Sequence, residues 1–398
     1  MYQRVIESHI RKALAEYPVV ALTGPRQSGK TYLLRRRFSD YRYVLLDEID
    51  KRQYAQSDPR GFLAQFTGPV IIDEAQRVPE LFSYLLALVD SSEESGRFIL
   101  SGSQNFLLLE SITQSLSGRV AVTHLLPLSL DELAFRPPIS ISDLEAGRLP
   151  SDSGFQKDLF ETLITGGYPR IHDRQLDPRQ WLDDYFQTYV QRDVRTLLNV
   201  GSLDSFTRFV QLCAGRVGHP LNASALGSDC GVSHVTVKRW LSVLQASFVL
   251  FLLEPHFDNF SKRIVKAPKL FFFDTGLLCR LLRIRLADEL RMSPYRGAVF
   301  ESYVVSELYK AYVHQRQQPP LYYWRDSAGR EVDLVIDAGS RLVPVEIKSG
   351  ETMNPSMTSG LTYWRSLARE RAGPSMLVYG GTESFTFRDC RVYSWKCL

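Results

Sequence analysis

The amino-acid sequence predicts a multidomain α/β protein, and three observations support this prediction. A glycine-rich loop at residues 24–31 lies between a short apolar run and a segment of helical character. A second apolar run, at residues 70–72, ends in two carboxylates. Farther along, two runs of alternating polar and apolar residues, 331–336 and 342–348, flank a short turn. A chain of 398 residues is long enough for about two or three domains.

The composition is that of an ordinary globular protein, and we predict a cytoplasmic location. Hydrophobic residues make up 44% and charged residues 23%, which allows sizeable cores. A net charge of +4 permits a nucleic-acid partner without requiring one. The five cysteines form no C-x-x-C pair, which favours a reducing compartment. Residues 1–16 do not resemble a signal peptide, and the longest apolar run, 248–253, is too short to span a membrane.

A phosphate-binding loop is the most specific motif of the sequence. Residues 24–31 read GPRQSGKT and fit the pattern G-x-x-x-x-G-K-[ST]. Its glycines let the backbone turn N–H groups toward a phosphate, and the following helix N-terminus adds partial positive charge. A chance glycine-rich turn is the alternative, but the preceding apolar run and the following helix provide the context that the motif requires. The predicted nucleotide-binding residues are Gly24, Pro25, Arg26, Gln27, Ser28, Gly29, Lys30 and Thr31.

The acidic pair after the second apolar run predicts a metal ligand and a catalytic base. Residues 70–74 read VIIDE, which is the Walker B arrangement. In that arrangement Asp73 and the Thr31 hydroxyl hold Mg²⁺, while Glu74 polarises the attacking water. An acidic turn at the end of a strand is the alternative. Because the phosphate-binding loop is also present, we predict ATP and Mg²⁺ as the ligands of this part of the chain.

The alternating runs near the C-terminus predict an antiparallel hairpin that carries two carboxylates. Alternation places Glu346 and Lys348 on one face of the second strand. A turn centred near residues 338–339 would pair Asp333 with Pro344, so that Asp333 and Glu346 become diagonal neighbours about 7–8 Å apart. Carboxylates at that separation can share one Mg²⁺. A cross-strand ion pair facing solvent is the alternative.

A helix-turn-helix pattern lies between these two regions. Residues 222–246 have the required spacing, with Gly231 in the turn, and two β-rich runs follow at 247–253 and 269–274. A basic connection at 261–266 joins those runs, which suggests a winged helix. We expect Val235 and Trp240 to face a core. Docking of the module on a neighbouring subunit is the alternative to DNA binding. The candidate DNA contacts are Lys238, Arg239, Lys262, Arg263 and Lys266.

The motifs together resemble a family of bacterial and archaeal AAA-type ATPases that carry a C-terminal domain of unknown function. The resemblance rests on GPRQSGKT, VIIDEAQ, LSGS, LSGRV and LLPLSLDEL, continues through ITGGYPR and YVQRDV, and covers essentially the whole chain. It implies ATP binding by an AAA module. It does not imply a pathway.

This resemblance also implies roles for two further residues. The strand at residues 98–103 is expected to lie between the strand that precedes the phosphate-binding loop and the Walker B strand at residues 70–72. Ser103 or Gln104 would then contact the γ-phosphate or the attacking water. Arg119 lies where such ATPases often carry an arginine finger, which acts on the nucleotide of a neighbouring subunit. A serine-glycine turn and a surface arginine are the respective alternatives.

The C-terminal hairpin resembles the PD-(D/E)xK nuclease fold. There, carboxylates equivalent to Asp333 and Glu346 hold a metal, and a lysine equivalent to Lys348 assists the reaction. Glu301 matches the acidic residue that many such nucleases carry on their first helix. Val332 stands where the proline of the motif is expected, a departure that leaves nuclease activity open.

We therefore predict four segments and two alternative functions. An AAA-type ATPase core occupies residues 1–136, a helical lid 137–200, a winged-helix-like module 201–290 and a restriction-endonuclease-like α/β domain 291–398. In the first, the protein hydrolyses ATP as a switch or motor that acts in a nucleic-acid transaction. The second is a regulatory or scaffold ATPase that binds a protein partner, with a catalytically silent C-terminal domain. Candidate partners are DNA, another protein and further copies of the chain, and no membrane is expected.

Overall fold

The computed structural model describes residues 2–92, 94–102, 108, 112, 114–152, 154–189, 203–256 and 266–398. The chain divides into two compact units. The first comprises Met1–Pro127, Ala246–Phe248 and Val313–Gln317. The second comprises Leu128–Gln245, Val249–Tyr312 and Gln318–Leu398.

The first unit is built on a five-stranded parallel sheet with the order β2-β3-β4-β1-β5. β4 lies between β1 and β3, as the resemblance to AAA-type ATPases implies for the strand that begins at Phe98. The strands are β1 Val19–Thr23, β2 Arg42–Leu45, β3 Val70–Asp73, β4 Phe98–Ser101 and β5 Val120–His124. The helices are α1 Ile6–Glu16, α2 Lys30–Arg37, α3 Ile49–Ser57, α4 Pro59–Ala64 and α5 Leu81–Asp90.

Both faces of this sheet are buried, which explains the continuous apolar runs in its central strands. Val19 and Ala21 belong to the core on one face, which includes side chains of α4 and α5. Val20 and Leu22 belong to the core on the other face, which includes side chains of α1 and α2. The alternation of β1 thus divides its side chains between two cores and holds the strand rigidly ahead of the glycine-rich loop.

The second unit begins with short helices and a helix-turn-helix segment. Its first helices are α6 Leu130–Leu133, α7 Ile141–Glu145, α8 Leu159–Thr165, α9 Pro169–Arg174 and α10 Pro178–Tyr185. α11 Leu203–Ala214, α12 Ala223–Cys230 and α13 His234–Ala246 follow, and then an antiparallel pair formed by β6 Leu250–Leu253 and β7 Lys269–Phe272. α14 Thr275–Leu281, α15 Ala287–Met292 and α16 Arg296–Val313 come next.

The turn between α12 and α13 has the geometry expected of a helix-turn-helix. Gly231 ends α12 with a left-handed φ of 68°, which favours glycine. Trp240 is buried as predicted, but the prediction for Val235 is wrong, because its side chain is 63% exposed. Val237 is buried in its place. Assignment of the whole segment to the winged-helix class stays a prediction.

The rest of the second unit is a mixed six-stranded sheet with the order β12-β13-β11-β10-β9-β8. α17, Ser359–Ala368, contributes Leu361, Trp364 and Ala368 to its core. The strands are β8 Leu321–Arg325, β9 Glu331–Asp337, β10 Leu342–Lys348, β11 Ser375–Tyr379, β12 Phe385–Phe387 and β13 Cys390–Ser394. β10 pairs antiparallel with β9 and parallel with β11.

The hairpin of β9 and β10 forms as predicted, but its register differs by two residues. Pro344 pairs with Val335 and not with Asp333, because the first strand extends one residue farther, to Asp337, and the turn occupies residues 338–341. A shift of two residues keeps every side chain on its own face. It also brings Glu346 closer to Asp333 than the predicted diagonal arrangement would.

Within the part of the chain that the structure describes, no helix combines the length and the apolar character needed to cross a bilayer.

Candidate nucleotide and carboxylate sites

The glycine-rich loop joins the C-terminal end of β1 to the N-terminus of α2. Gly24 has a φ of 141°, and a Cβ atom there would lie 2.2 Å from the Leu125 carbonyl oxygen. Only glycine fits this position without movement of the neighbouring backbone. Gly29 caps α2 with a φ of 96°, in the left-handed region that side chains disfavour. Both glycines of the motif are therefore required by the backbone.

Lys30 extends its buried side chain across the loop. Its Nζ donates hydrogen bonds to the carbonyl oxygens of Gly24 and Pro25, both at 2.8 Å. Burial lowers the pKa of Lys30 to about 8, and the nearby Glu74 and Asp73 carboxylates oppose that shift. The ammonium thus lies at a helix N-terminus surrounded by polar backbone, where an anion would find complementary charge.

Asp73 is the centre of the polar network at the carboxyl edge of the sheet. It is 2% exposed. Its Oδ2 accepts hydrogen bonds from Thr31 Oγ1 at 2.8 Å and from the Tyr43 hydroxyl at 2.5 Å. Its Oδ1 accepts one from Ser101 Oγ. The structure therefore brings Thr31 and Asp73 together, as a shared metal site requires, and adds Tyr43 and Ser101, which sequence reasoning missed.

Glu74 is presented by an unusual backbone conformation and is held by a nearby glutamine. Its φ of 57° places a non-glycine residue in the left-handed region. Gln76 Nε2 donates a 2.5 Å hydrogen bond to Glu74 Oε2. A Cβ atom on Gly102 would lie only 2.1 Å from Gln76 Oε1. The glycine at the tip of β4 therefore makes room for the side chain that holds Glu74.

Two further residues predicted for catalysis have different outcomes. Ser103 lies outside the described residues, as does Gln104. Arg119 lies at the N-terminal ends of the parallel strands, because β5 begins at Val120, beside Val19. The loop lies at their C-terminal ends, because it follows Thr23. A five-residue strand is about 17 Å long, so Arg119 does not reach the nucleotide loop of its own chain. Its guanidinium pairs with Asp90. Action on a neighbouring subunit stays a prediction.

In the second unit, Asp333 and Glu346 converge on the amino group of Lys348. Lys348 Nζ lies 2.5 Å from Glu346 Oε1 and 3.4 Å from Asp333 Oδ2. The backbone N–H of Ile347 donates to Asp333 Oδ2 at 2.8 Å. Alternation along both strands thus brings all three predicted side chains to the same face, although the register was predicted incorrectly.

Glu301 extends this group from α16, and two residues that the sequence analysis missed join it. Carboxylate oxygens of Glu301, Glu331 and Asp333 all lie within 4.8 Å of one another. Lys269 Nζ, at the start of β7, lies 2.9 Å from Glu301 Oε1 and also contacts Glu331 Oε1. Alternation along β9 places Glu331 on the same face as Asp333 and could have revealed it. No sequence pattern near Lys269 indicates its position.

Burial and mutual repulsion alter the ionisation of this acidic cluster. Burial raises the pKa of Glu346 to about 8, the Asp333 carboxylate adds to the shift, and Lys348 opposes it. Burial likewise raises the pKa of Glu301 to about 7, although Lys269 opposes it. Glu346 Oε2 is buried and has no hydrogen-bond partner among the residues that the structure describes. A buried carboxylate oxygen in this state is costly unless a ligand satisfies it.

The candidate DNA contacts fall into two groups. Lys238 and Arg239 are exposed on α13, and Lys266 is exposed before β7. Lys262 and Arg263 lie outside the described residues. DNA contact by any of these residues stays a prediction.

Comparison with known proteins gives the family. The family model described as an AAA domain matches residues 16–134. Two domains of unknown function, DUF8612 and DUF4143, match residues 156–288 and 296–398. Uncharacterized proteins of Mycobacterium bovis and Mycobacterium tuberculosis are each 30% identical over 392 residues, covering 97% of this chain and 82% of theirs. The chain belongs to the family of these mycobacterial proteins. Its first unit contains an AAA-type ATPase domain.

One further sequence and two solved structures are less similar to this chain. An uncharacterized protein of Methanocaldococcus jannaschii is 24% identical and covers 88% of this chain and 79% of its own length. A Walker-type ATPase of Pyrococcus abyssi has a TM-score of 0.42 at 14% identity, covering 70% of this chain and 94% of its own. A RuvB variant of Thermotoga maritima has a TM-score of 0.31 at 17% identity, covering 62% of this chain and 88% of its own.

Proposed function

We propose that this chain binds ATP with Mg²⁺ at residues 24–31 and hydrolyses it. The observation that carries the proposal is the 2.8 Å hydrogen bond between Thr31 Oγ1 and Asp73 Oδ2, made beside the buried ammonium of Lys30. A hydroxyl and a carboxylate in contact form the oxygen pair that holds Mg²⁺ in P-loop proteins. The donor set and the glycine-lined loop both fit a nucleoside triphosphate.

Each residue of the site then has a distinct role. Thr31 and Asp73 would hold Mg²⁺, which neutralises charge on the phosphates. Lys30 exchanges its bonds to the Gly24 and Pro25 carbonyls for bonds to phosphate oxygens. Glu74 orients a water molecule for attack and accepts its proton, while Gln76 fixes one oxygen of that carboxylate. Tyr43 and Ser101 are positioning residues, because their hydroxyls fix the orientation of Asp73.

Calorimetric titration with ATP and Mg²⁺ tests the binding step. We expect Lys30→Ala to abolish measurable binding, because it removes the buried cation that faces the phosphates. Lys51→Ala is the matched control, since Lys51 lies on α3 in a surface ion pair with Glu48. Equal affinity in wild type and Lys30→Ala would remove the proposed site.

A second candidate function is metal-dependent phosphodiester hydrolysis in the second unit, as part of a nucleic-acid transaction. Glu346 Oε2 favours it, because this atom is buried without a hydrogen-bond partner in the described part of the chain. Asp333 lies beside it, and Lys348 contacts both carboxylates. Asp333 and Glu346 would hold a divalent cation, which polarises the phosphate and lowers the pKa of an attacking water. Lys348, whose side chain is 37% exposed, would turn to the phosphate oxygens.

Cleavage assays decide between this candidate and a silent domain. Supercoiled DNA, linear duplex, single-stranded DNA and RNA would each be incubated with Mg²⁺ or Mn²⁺, with and without ATP. Cleavage by wild type that disappears in Asp333→Asn supports the nuclease candidate. Absence of cleavage of every form instead favours a regulatory or scaffold ATPase that binds a protein partner.

A further inference from the structure

Lys269 is a buried cation in the middle of the acidic cluster. Its residue is 1% exposed, and its ammonium contacts carboxylates of both Glu301 and Glu331. It also lies 5.4 Å from the ring centroid of Tyr323. A buried ammonium is costly unless surrounding charges compensate it. Here two direct carboxylate contacts and an aromatic ring provide that compensation.

The cluster consists of four carboxylates and two lysines, and the contacts of each lysine define one half of it. Lys269 contacts Glu301 and Glu331, while Lys348 contacts Asp333 and Glu346. The lysines differ in accessibility, because the Lys348 side chain is 37% exposed and the Lys269 side chain 1%. Lys348 can therefore leave its carboxylates for solvent or for a substrate. Lys269 has no such route without opening the core around β7.

The half held by Lys269 has the geometry of a metal site. Oxygens of Glu301 and Glu331 lie within 4.8 Å of each other and of an Asp333 oxygen, close enough to ligate one ion. Lys269 Nζ is within bonding distance of two of these three carboxylates. Arg325 Nη1 lies 3.2 Å from Glu331 Oε2, so the guanidinium also compensates the charge of the Glu331 carboxylate, whose other oxygen contacts Lys269. The protein itself thus supplies positive charge to this half.

We propose that Lys269 is a fixed internal cation that takes the place of a divalent ion between Glu301 and Glu331. The acidic cluster then accepts a divalent cation only in its other half, at Asp333 and Glu346. Any phosphodiester chemistry here therefore uses a single metal ion and not the pair found in two-metal sites. The single-ion conclusion rests on the second candidate function, whereas the occupation of the first half by Lys269 does not.

Manganese binding followed by electron paramagnetic resonance tests the inference. The full chain would be titrated with Mn²⁺ without nucleotide, with Asp73→Asn in every variant to remove the metal ligand of the P-loop. We expect one bound Mn²⁺ in this parent and a second in Lys269→Met, close enough for spin coupling to broaden the spectrum. Glu331→Gln added to Lys269→Met should remove the extra ion. An unchanged number of ions in Lys269→Met would overturn the inference.

A matched control separates loss of a particular lysine from loss of buried charge in general. Lys310 on α16 is 3% exposed and pairs with Glu307 at 2.8 Å. Lys310→Met should therefore bind no additional Mn²⁺. An equal gain of an ion in both variants would show that Lys269 has no special place in the cluster.

Two outcomes keep this inference separate from the proposed nuclease site. A parent chain that binds no Mn²⁺ counts against metal binding at Asp333 and Glu346, yet a gain of one ion in Lys269→Met still supports the inference. Should Lys269→Met unfold in metal-free buffer, Mn²⁺ must raise its melting temperature more than that of the parent, because an ion that binds only the folded state stabilises it. An equal or smaller rise contradicts the inference.

Discussion

Asp73 accepts hydrogen bonds from hydroxyl groups of three elements, α2, β2 and β4, through Thr31, Tyr43 and Ser101. Hydrogen bonds to an ionised group are worth about 1.5–3 kcal/mol each. The network therefore fixes the carboxylate in one orientation before a ligand arrives. Such preorganisation suits a metal ligand, because it lowers the entropy lost on binding. For the neighbouring Glu74 we propose a different role, the activation of water, which can be tested separately.

At Glu74, replacement by glutamine should separate nucleotide binding from hydrolysis. Glu74→Gln keeps the shape of the side chain but cannot accept a proton from water, so we expect nearly unchanged ATP affinity and a roughly 100-fold or larger loss of turnover. Phosphate release in single-turnover reactions measures the loss. Glu80→Gln, at an exposed position before α5, serves as the control. Wild-type turnover in Glu74→Gln would show that another group activates the water.

Gly102→Ala should disturb the Glu74 carboxylate indirectly, through Gln76. The new methyl would lie 2.1 Å from Gln76 Oε1, so the glutamine side chain must move and its hydrogen bond to Glu74 weakens. We expect turnover to fall about 10-fold with little change in ATP affinity, because the P-loop is untouched. Gly68→Ala is the matched control, since no atom of the described residues lies within 4 Å of a Cβ there. Equal turnover in both variants would argue against a role for Gln76.

Residues within a motif are predictable from sequence, while those that meet the motif in space are not. Lys30, Thr31 and Asp73 follow from local spacing, because strand, loop and helix fix their positions. Tyr43 and Lys269 reach their sites through contacts that no spacing encodes. Lys269 also begins a strand that is otherwise apolar, so sequence alone indicates a strand end and not an ion pair.

At the scale of elements, strand alternation proved more robust than the details of turns. The face of Asp333, Glu346 and Lys348 follows from a period of two and survives the two-residue error in register. The register itself depends on the conformation of the turn at residues 338–341, where Gly339 has a φ of 74°. Several turn types fit that sequence, and they differ in length by one or two residues.

The end of β5 gives the first unit a predicted sensitivity to acid. His124 Nδ1 lies 2.6 Å from Thr23 Oγ1, and its ring packs 5.2 Å from that of Phe248. Burial lowers the pKa of His124 to about 4, below the unfolded value of 6.5. Between these values the unfolded chain binds more protons than the folded one, so stability is present above pH 6.5 and falls as the pH drops toward 4.

Thermal unfolding measured from pH 7 to pH 4.5 tests this sensitivity. We expect the melting temperature of the first unit to fall over this range, and to fall less in His124→Asn, which cannot be protonated and keeps a polar partner for Thr23. His234→Asn is the control, because His234 is exposed on α13. Parallel curves for wild type and His124→Asn would exclude His124 as the source.

At the scale of the whole molecule, the sequence predicted the α/β character of the first unit and the C-terminal hairpin of the second, while the limits of the domains stay a prediction. The central strands β1, β3 and β4 follow from continuous apolar runs and the β9–β10 hairpin follows from alternation, whereas the rest of the mixed six-stranded sheet was not predicted. Domain limits depend on long-range packing, which periodicity does not encode. The four predicted segments stay a prediction, whereas the family models divide the chain at residues 134–156 and 288–296.

Arg119 provides a test of assembly, since it lies at the sheet edge opposite its own P-loop. If chains pack head to tail, the guanidinium reaches the nucleotide of a neighbour, and Arg119→Ala should slow hydrolysis at least about 10-fold. Asp90→Ala is the matched control, because it breaks the same ion pair but keeps the arginine. We expect that variant to retain turnover. Slowing in both variants would assign the effect to loss of the ion pair.

Mixing two impaired variants distinguishes action between subunits from action within one. Glu74→Gln lacks the base but supplies Arg119, while Arg119→Ala lacks the arginine but supplies Glu74. In a mixed assembly, some interfaces combine an intact base with an intact arginine, so turnover should recover to about one quarter of wild type at equal ratio if each active interface works independently. Steady-state phosphate release across mixing ratios measures this recovery. Turnover that never exceeds the average of the two variants would show that Arg119 does not act across an interface.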